Sequence, residues 1–214
     1  GLAPEKFILQ SRVLANSLPG VSSYIDSGLE DIDPGNRIRN HLDMPATAHY
    51  DFKAGFVTIS GSAPHEWIEA AKAKLKKEKD VSGSSFEALQ DLDLVIYERL
   101  IKRIGDLPVY YVGGKTDMLE GGQGALSEVA NLWKQLKVKG ELLKKSAVLV
   151  ATGQSDKPGS RELNIKLCRA RAEAAKQELL KLGIKPEDLQ IDSLISNTED
   201  PRLRRVIFLV KEKL

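Results

Sequence analysis

The chain has 214 residues, of which 42% are hydrophobic, so it can bury one large core or two to three small ones. Its 32 basic and 30 acidic residues leave a net charge of +2, and only 6% of the residues are aromatic. Neither a broad positive field nor a set of stacking platforms therefore favours nucleic-acid binding. The single cysteine, Cys168, excludes an internal disulfide framework and a cysteine-rich metal site.

An internal repeat occupies the first half of the chain. Aligning each residue with the one 60 positions later gives nine identities in the first 33 positions without a gap, which predicts two copies of one supersecondary unit. Because the first residue aligns with the end of a strand in the second copy, we expect the chain to begin partway into a unit whose hairpin lies upstream. The identical residues of the first copy are Gly1, Ala3, Pro4, Ile8, Val21, Ser22, Leu29, Asp31 and Asp33.

The second copy predicts a hairpin followed by a helix. The segments TAHYDF and FVTISG are rich in aromatic and β-branched residues and are separated by KAG. Pro64 stands at a first helical turn, and Trp67, Ile68, Ala71 and Leu75 recur at helical spacing. A strand near 84–89 and a helix over 91–104 complete the unit.

This unit resembles the BON domain, a small α/β module of bacterial envelope proteins. The segment FKAGFVTISGSAPHEWIEAAKAKL carries the resemblance, which assigns one truncated repeat to residues 1–44 and one complete repeat to residues 45–106. The resemblance implies contacts with phospholipid surfaces or oligomeric assembly. The lysines that follow Ala71 fit either a membrane footprint or a solvated helix face.

Residues 107–214 predict a different arrangement. LPVYYV and SAVLVATG are strand segments, and ALSEVANLWKQL places Leu126, Val129, Leu132, Trp133 and Leu136 on one helical stripe. A helix over 160–182 ends before Gly183, and LQIDSLI and RRVIFLV are the last two strands. The order β-α-β-α-β-β predicts an α+β sandwich with the helices on one face of a mixed sheet.

A candidate binding site surrounds the start of the helix over 160–182. Asp156 directly follows a strand, and at 100° per residue Arg171 lies about 20° from Asn164 on the helix surface. An aspartate and an arginine held apart at one rim suit a zwitterionic guest, whereas a direct ion pair between them needs no ligand. The apolar stripe expected to fix the helix to the sheet is Leu163, Leu167, Ala170 and Ala174.

These residues also resemble the signature of the OmpA-like peptidoglycan-binding domain. The signature has an aspartate after a strand, a glycine three residues later, an asparagine at eight, a leucine at eleven and Arg-Ala at fifteen and sixteen. The final strand of the family contains an Arg-Arg-Val sequence, which is matched here by Arg204, Arg205 and Val206. The signature residues in this chain are Asp156, Gly159, Asn164, Leu167, Arg171 and Ala172.

The resemblance implies non-catalytic binding of the diaminopimelate residue of a peptidoglycan stem peptide. In that picture Asp156 contacts the ammonium group, Arg171 the carboxylate and Asn164 the peptide, with assistance from Arg204 and Arg205. It implies a periplasmic location in the cell envelope, associated with peptidoglycan or the outer membrane. The alternative is an interaction scaffold, in which the BON-like repeats make lipid-surface or oligomeric contacts and the OmpA-like domain is degenerate.

Several positions depart from the family pattern. Ser155 and Cys168 stand where threonine and serine are usual, and Gly113 and Gly114 follow the first strand in place of a polar residue. The connection over 196–202 is short, and Leu203 replaces an asparagine. These departures leave open whether wall binding is retained.

Other chemistry finds little support in the sequence. GQSDK lacks the second glycine of a nucleophile elbow, and no histidine follows it. GGQG lacks the Lys-Ser/Thr of a phosphate-binding loop, and the three histidines have no metal-ligand spacing. We therefore expect no enzyme activity, no cofactor and no metal.

Overall fold

The computed structural model describes residues 2–25, 30–31, 33–156 and 159–213. In these residues the chain is an α+β protein. The α-helices are α1 (Glu5–Ser17), α2 (Pro34–Leu42), α3 (His65–Leu75), α4 (Leu92–Gly105), α5 (Gly122–Leu143) and α6 (Arg161–Lys181). The strands are β1 (Leu2–Ala3), β2 (Glu30–Asp31), β3 (Ala48–Lys53), β4 (Phe56–Ala63), β5 (Gly83–Ser85), β6 (Leu89–Asp91), β7 (Val109–Tyr110), β8 (Ala147–Ser155), β9 (Leu189–Ile195) and β10 (Arg205–Glu212).

The chain divides into two compact units, Gly1–Leu92 and Asp93–Leu214. Helix α4, which the sequence assigns to the end of the second repeat, contributes Tyr97, Leu100 and Ile104 to the core of the second unit. The boundaries 1–44, 45–106 and 107–214 describe repeats in the sequence and stay a prediction.

The first unit repeats its strand pairing at the spacing seen in the sequence. Strands β1 and β2 are parallel, as are β4 and β6, and the two pairings are offset by 60 residues along the chain. Helices α1 and α3 begin directly after Pro4 and Pro64, whose backbones are both extended. The paired residues are Leu2 with Glu30 and Ala3 with Asp31 in one copy, and Ser62 with Gln90 and Ala63 with Asp91 in the other.

The predicted hairpin and helix form the core of the first unit. Strands β3 and β4 are antiparallel, and β5 and β6 each lie parallel to β4. Helices α2 and α3 cover this sheet with apolar side chains, because their hydrophobic residues recur at helical spacing. The buried members of this core are Ile38, Leu42, Val57, Ile59, Ala71 and Leu75.

The second unit is a four-stranded mixed sheet with helices on one face. The strand order is β7-β10-β8-β9, with β8 parallel to β9 and antiparallel to β10. The last two strands therefore do not pair with each other, since β8 lies between them. The predicted stripe of α5, from Leu126 to Leu136, is fully buried and confirms the period read from the sequence.

Helix α6 packs with a different side from the predicted one. Leu163 is 64% exposed and Ala170 is also exposed, so the predicted apolar stripe is wrong. The reason is a close approach between backbones: a Cβ added at Gly153 of β8 would lie 1.9 Å from the carbonyl oxygen of Cys168. The residues that α6 buries are Asn164, Cys168, Arg171, Ala172, Ala175 and Leu179.

Candidate functional site

The carboxylate of Asp156 lies directly after β8 and is bound by Arg204, the residue that precedes β10. Arg204 donates two hydrogen bonds to the same oxygen, Oδ2, from Nε at 3.0 Å and from Nη2 at 2.7 Å. The antiparallel register explains the pairing, because Val206 is opposite Gly153 and the two residues therefore meet where the strands end. The bond to Asp156 raises the pKa of Arg204 above its usual value, so its guanidinium stays charged at neutral pH.

Asn164 is placed against this strand end by the first turns of α6. Ser160 caps the helix by accepting a hydrogen bond from the backbone N–H of Leu163 at 3.2 Å. Gly159 precedes the cap with a φ of 99°, a conformation that other residues rarely adopt. The amide Nδ2 of Asn164 then donates to the backbone carbonyl of Asp156 at 3.3 Å. Asn164 thus connects the helix to the strand end.

Asp156, Asn164 and Arg204 form what we call the rim. Arg171 lies beneath this rim, and its guanidinium is hydrogen-bonded to backbone carbonyls. Its exposed fraction is 0%, and burial lowers its pKa. Nε donates to Lys115 at 3.0 Å, Nη2 to Val112 at 2.9 Å and Nη1 to Gln154 at 3.3 Å. These bonds use three of the five N–H donors of the guanidinium. Removing this charge from water costs free energy. The hydrogen bonds and a neighbouring aromatic ring offset that cost.

The aromatic ring beside Arg171 belongs to Tyr111. The guanidinium carbon lies 5.5 Å from the ring centroid, and the tyrosine hydroxyl donates a long hydrogen bond of 3.4 Å to the carbonyl of Arg171. Burial raises the pKa of Tyr111 to about 12, although the neighbouring cation acts in the opposite direction. The phenol is therefore neutral at physiological pH.

A tight turn over 112–117 closes the site from the solvent side. The N–H of Val112 donates to the carbonyl of Asp117 at 2.9 Å, and residues 113–117 are exposed. A Cβ at Gly113 would lie 2.9 Å from Nη1 of Arg204, so a larger residue would require the end of that side chain to shift. The turn therefore contacts Arg171 through carbonyls and Arg204 through a glycine.

The structure thus differs from both arrangements expected for Asp156 and Arg171. No open gap separates the two charges, because the carbonyls of Val112 and Lys115 accept hydrogen bonds from the guanidinium of Arg171. The two residues are not ion-paired either, because Arg204 binds the carboxylate. The carbonyl partners of Arg171 cannot be recognised in the sequence, since every residue has a backbone carbonyl. The glycines at 113 and 114 are the one feature of the sequence that indicates a turn at this place.

Arg205 lies one step further from the rim than Arg204. Its Nε donates to the side-chain oxygen of Gln154 at 2.8 Å, and Gln154 in turn contacts Arg171 through its backbone carbonyl. The predicted residues are therefore brought together at one end of the second unit, as a network that runs from β10 through β8 to α6.

Metal and thiol chemistry gain no support at this rim. Among the described residues no group of three or more His, Cys, Asp or Glu side chains could hold a metal ion. Burial raises the pKa of the Cys168 thiol, so the nucleophilic thiolate is disfavoured at neutral pH. Within the described part of the chain no helix is both long and apolar enough for a membrane span.

Comparison with solved structures finds similar folds over half of the chain. The peptidoglycan-associated lipoprotein from Burkholderia pseudomallei is 21% identical, covering 49% of this chain and 89% of its own, with a TM-score of 0.40. The OmpA-like domain of FopA1 from Francisella tularensis is 20% identical, covering 50% and 74%, with a TM-score of 0.38. The periplasmic domain of Helicobacter pylori MotB is 13% identical, covering 50% and 71%, with a TM-score of 0.40.

No family model matches the chain, and no curated protein matches it either. The structural likenesses are distant in both identity and TM-score, so the function proposed below rests on the chain's own residues.

Proposed function

We propose that the second unit is a non-catalytic module that binds peptidoglycan and anchors an envelope protein to the cell wall. One observation carries the proposal: Asp156, Asn164 and Arg204 are hydrogen-bonded to one another at the end of the sheet, and Arg171 lies beside them, although three separate segments supply these residues. These are the residues through which the sequence resembles a peptidoglycan-binding family. The location that follows from this function is the periplasm.

The guest is a diaminopimelate-type stem peptide. Its free end carries an ammonium and a carboxylate on one carbon, so it needs an acceptor and a cationic donor within a few ångström. Arg204 uses only Oδ2 of Asp156, so the second oxygen, Oδ1, serves as the acceptor for the ammonium. Asn164 holds the strand end in place during binding.

The carboxylate of the guest reaches Arg171 by displacing the turn over 112–117. The guest replaces the carbonyls of Val112 and Lys115, and it offers two charged oxygens to a planar fork of donors. The carbonyls of the turn are neutral acceptors, whereas the guest carboxylate is charged and binds the fork through two parallel hydrogen bonds, which are the stronger kind. The flexibility of Gly113 and Gly114 allows that movement.

Calorimetric titration with two muropeptides tests the proposal. One muropeptide carries a diaminopimelate stem peptide and the other a lysine stem peptide, which lacks the free carboxylate. We expect the first to bind at least about tenfold more tightly, a difference of about 1.4 kcal/mol. Asp156→Asn and Arg171→Lys should each remove that preference, whereas Arg99→Gln, an exposed site on α4, should leave it unchanged.

A second candidate function is an interaction scaffold. Two observations favour it: Arg171 is already bonded to the protein, and α1 exposes large apolar side chains, with Phe7 at 57%, Val13 at 72% and Leu14 at 62%. An apolar surface of this kind suits lipid or protein contacts. If folded wild-type protein binds neither muropeptide but sediments with liposomes or self-associates, the scaffold replaces the wall anchor.

A further inference from the structure

Strand β9 forms an open edge of the sheet in the second unit. It pairs with β8 on one side, and no strand pairs with its other side within the described residues. Helix α6 packs on both β8 and β9. Because an edge strand presents a row of backbone N–H and C=O groups, it can pair with another extended chain.

The register of β9 shows which of its backbone groups are open. The N–H of Ser196 donates to the carbonyl of Ser155, in the same parallel register that pairs Leu189 with Leu149. In a parallel ladder alternate residues of a strand direct both N–H and C=O toward the same neighbour. Residues 190, 192 and 194 therefore bond to β8, and residues 189, 191, 193 and 195 face outward.

The contacts of the outward residues agree with this assignment. The N–H of Leu189 donates to the turn before the strand, and the N–H of Ser193 donates to Oδ1 of Asp192 at 2.8 Å. The N–H groups of Ile191 and Ile195 donate no hydrogen bond within the described residues. The edge thus offers two open donors, and an incoming carbonyl can replace the exposed carboxylate at the third.

A groove runs along this edge between β9 and α6. Two hollows of about 220 and 390 Å³ adjoin there and share Arg169 and Ser193 in their linings. The outward residues of β9 have their side chains on the helix-covered face, because they alternate with the same period as Leu189 in the core. On the α6 side the lining adds Arg161 and Ile165.

Two arginines give the α6 wall of this groove a positive charge. Neither Arg161 nor Arg169 makes an ion pair or a side-chain hydrogen bond within the described residues, and both are exposed. The helical rise spaces them about 12 Å apart, with Ile165 midway. Four residues of an extended chain span about 13 Å, and residues i, i+2 and i+4 share one face. The two arginines therefore match two side chains four residues apart on a strand.

From this match we propose that the α6–β9 groove binds an acidic segment of a partner protein in extended conformation, which adds beside β9 as a fifth strand. The backbone of the segment pairs with the outward groups of β9, which supplies affinity, and its alternate side chains supply specificity. Two carboxylates four residues apart bind Arg161 and Arg169, and an apolar side chain between them contacts Ile165. The sequence pattern recognised is acidic-x-apolar-x-acidic.

This partner differs from the guest of the wall-binding proposal. An internal segment of a protein has no zwitterionic head, and the groove shares no side chain with the rim or with Arg171. A peptide with blocked ends therefore reports on the groove alone.

Hydrogen exchange measured by NMR tests the inference on the isotope-labelled chain. The probe is the peptide Thr-Glu-Thr-Val-Thr-Glu-Thr, acetylated at its amino end and amidated at its carboxyl end. We expect saturable binding that slows exchange at the amides of Ile191, Ser193 and Ile195. The intervening amides already bond to β8 and should keep their rates, so that the protection alternates along the strand.

Matched peptides separate charge from backbone pairing. Replacing both glutamates by glutamine should weaken binding about tenfold, and moving them to positions i and i+2 should weaken it about threefold. Two further peptides are N-methylated on one or the other set of alternate residues. The peptide methylated at the N–H groups that face β9 should lose binding, and the other should retain it.

Variants locate the charges that the peptide contacts. Arg161→Gln and Arg169→Gln should each weaken binding about threefold, the loss usual for an exposed ion pair, whereas Arg99→Gln on α4 should not. Asp156→Asn should also leave it unchanged, whatever its effect on muropeptide binding. Absence of saturable binding, equal binding of the glutamine peptide, or protection without alternation would each overturn the inference. So would protection of the same amides in a dimer that forms without peptide, because a second copy would then occupy the edge.

Discussion

Arg204, the residue before β10, and Asp156, the residue after β8, form a two-bond ion pair across the end of the sheet. Both bonds end on Oδ2, at 3.0 and 2.7 Å, and the side chain of Asp156 is 10% exposed while that of Arg204 is 32% exposed. The carboxylate of Asp156, which the sequence predicts to face Arg171, is therefore bound by Arg204. Arg171 instead donates hydrogen bonds to the turn over 112–117.

The pair contributes to folding stability because its carboxylate is shielded from water. A double-mutant cycle with Asp156→Ala and Arg204→Ala, followed by urea denaturation, should give a coupling free energy of about 1 kcal/mol. The exposed pair of Arg202 and Asp200 is the matched control and should give a smaller value. A coupling no larger than that of the control would mean that the pair is incidental to stability.

Arg171 should be the most sensitive charged residue of the second unit. Arg171→Ala leaves the carbonyls of Val112, Lys115 and Gln154 without this donor, and the expected loss of unfolding free energy is about 2–4 kcal/mol. Arg169→Ala, two residues earlier and exposed, should change stability by less than about 0.5 kcal/mol. Similar losses in the two variants, measured by urea denaturation, would contradict a structural role for the buried arginine.

Two glycines should respond to alanine in opposite directions. Gly153→Ala places a Cβ 1.9 Å from the carbonyl oxygen of Cys168, so α6 must shift away from β8, and we expect a loss of about 3 kcal/mol or more. Gly124→Ala, in α5, meets no atom within 4 Å and should stabilise the chain by about 0.5–1 kcal/mol. Thermal unfolding checks both values. A tolerated Gly153→Ala would show that α6 packs less closely than described.

The stability of the second unit should fall at alkaline pH because of Tyr111. Its pKa is raised to about 12 in the folded protein, whereas it is about 10 in an unfolded chain. Below pH 10 both states carry the proton, so stability is independent of this group; between about pH 10 and 12 the unfolded state loses it first and stability declines. One group contributes at most about 1.4 kcal/mol per pH unit.

Tyr111→Phe isolates that contribution. The variant should show a shallower decline of unfolding free energy between pH 10 and 11.5 than the wild type, because it retains the ring beside Arg171 and has no proton to lose. Identical slopes for the two proteins would mean that the hydroxyl ionises equally easily in both states.

Local periodicity predicted some of these features and not others. The sequence predicts the buried side of α5 correctly because the large side chains that this helix buries are all apolar. Helix α6 was misread because its polar residues Asn164 and Arg171 face β8, where close contact at Gly153 fixes the rotation of the helix. The pairing of Asp156 with Arg204 depends on β10 lying beside β8, which is a property of the sheet order and not of either segment.

The most direct measurement follows the turn over 112–117 while a diaminopimelate muropeptide is added to the labelled chain. The account predicts saturable NMR shifts of the amides of Gly113, Gly114 and Lys115 and of the Nε–H of Arg171, all with one dissociation constant and all lost in Asp156→Asn. Saturable binding that leaves these signals unmoved, or no binding by the folded wild type, would contradict it.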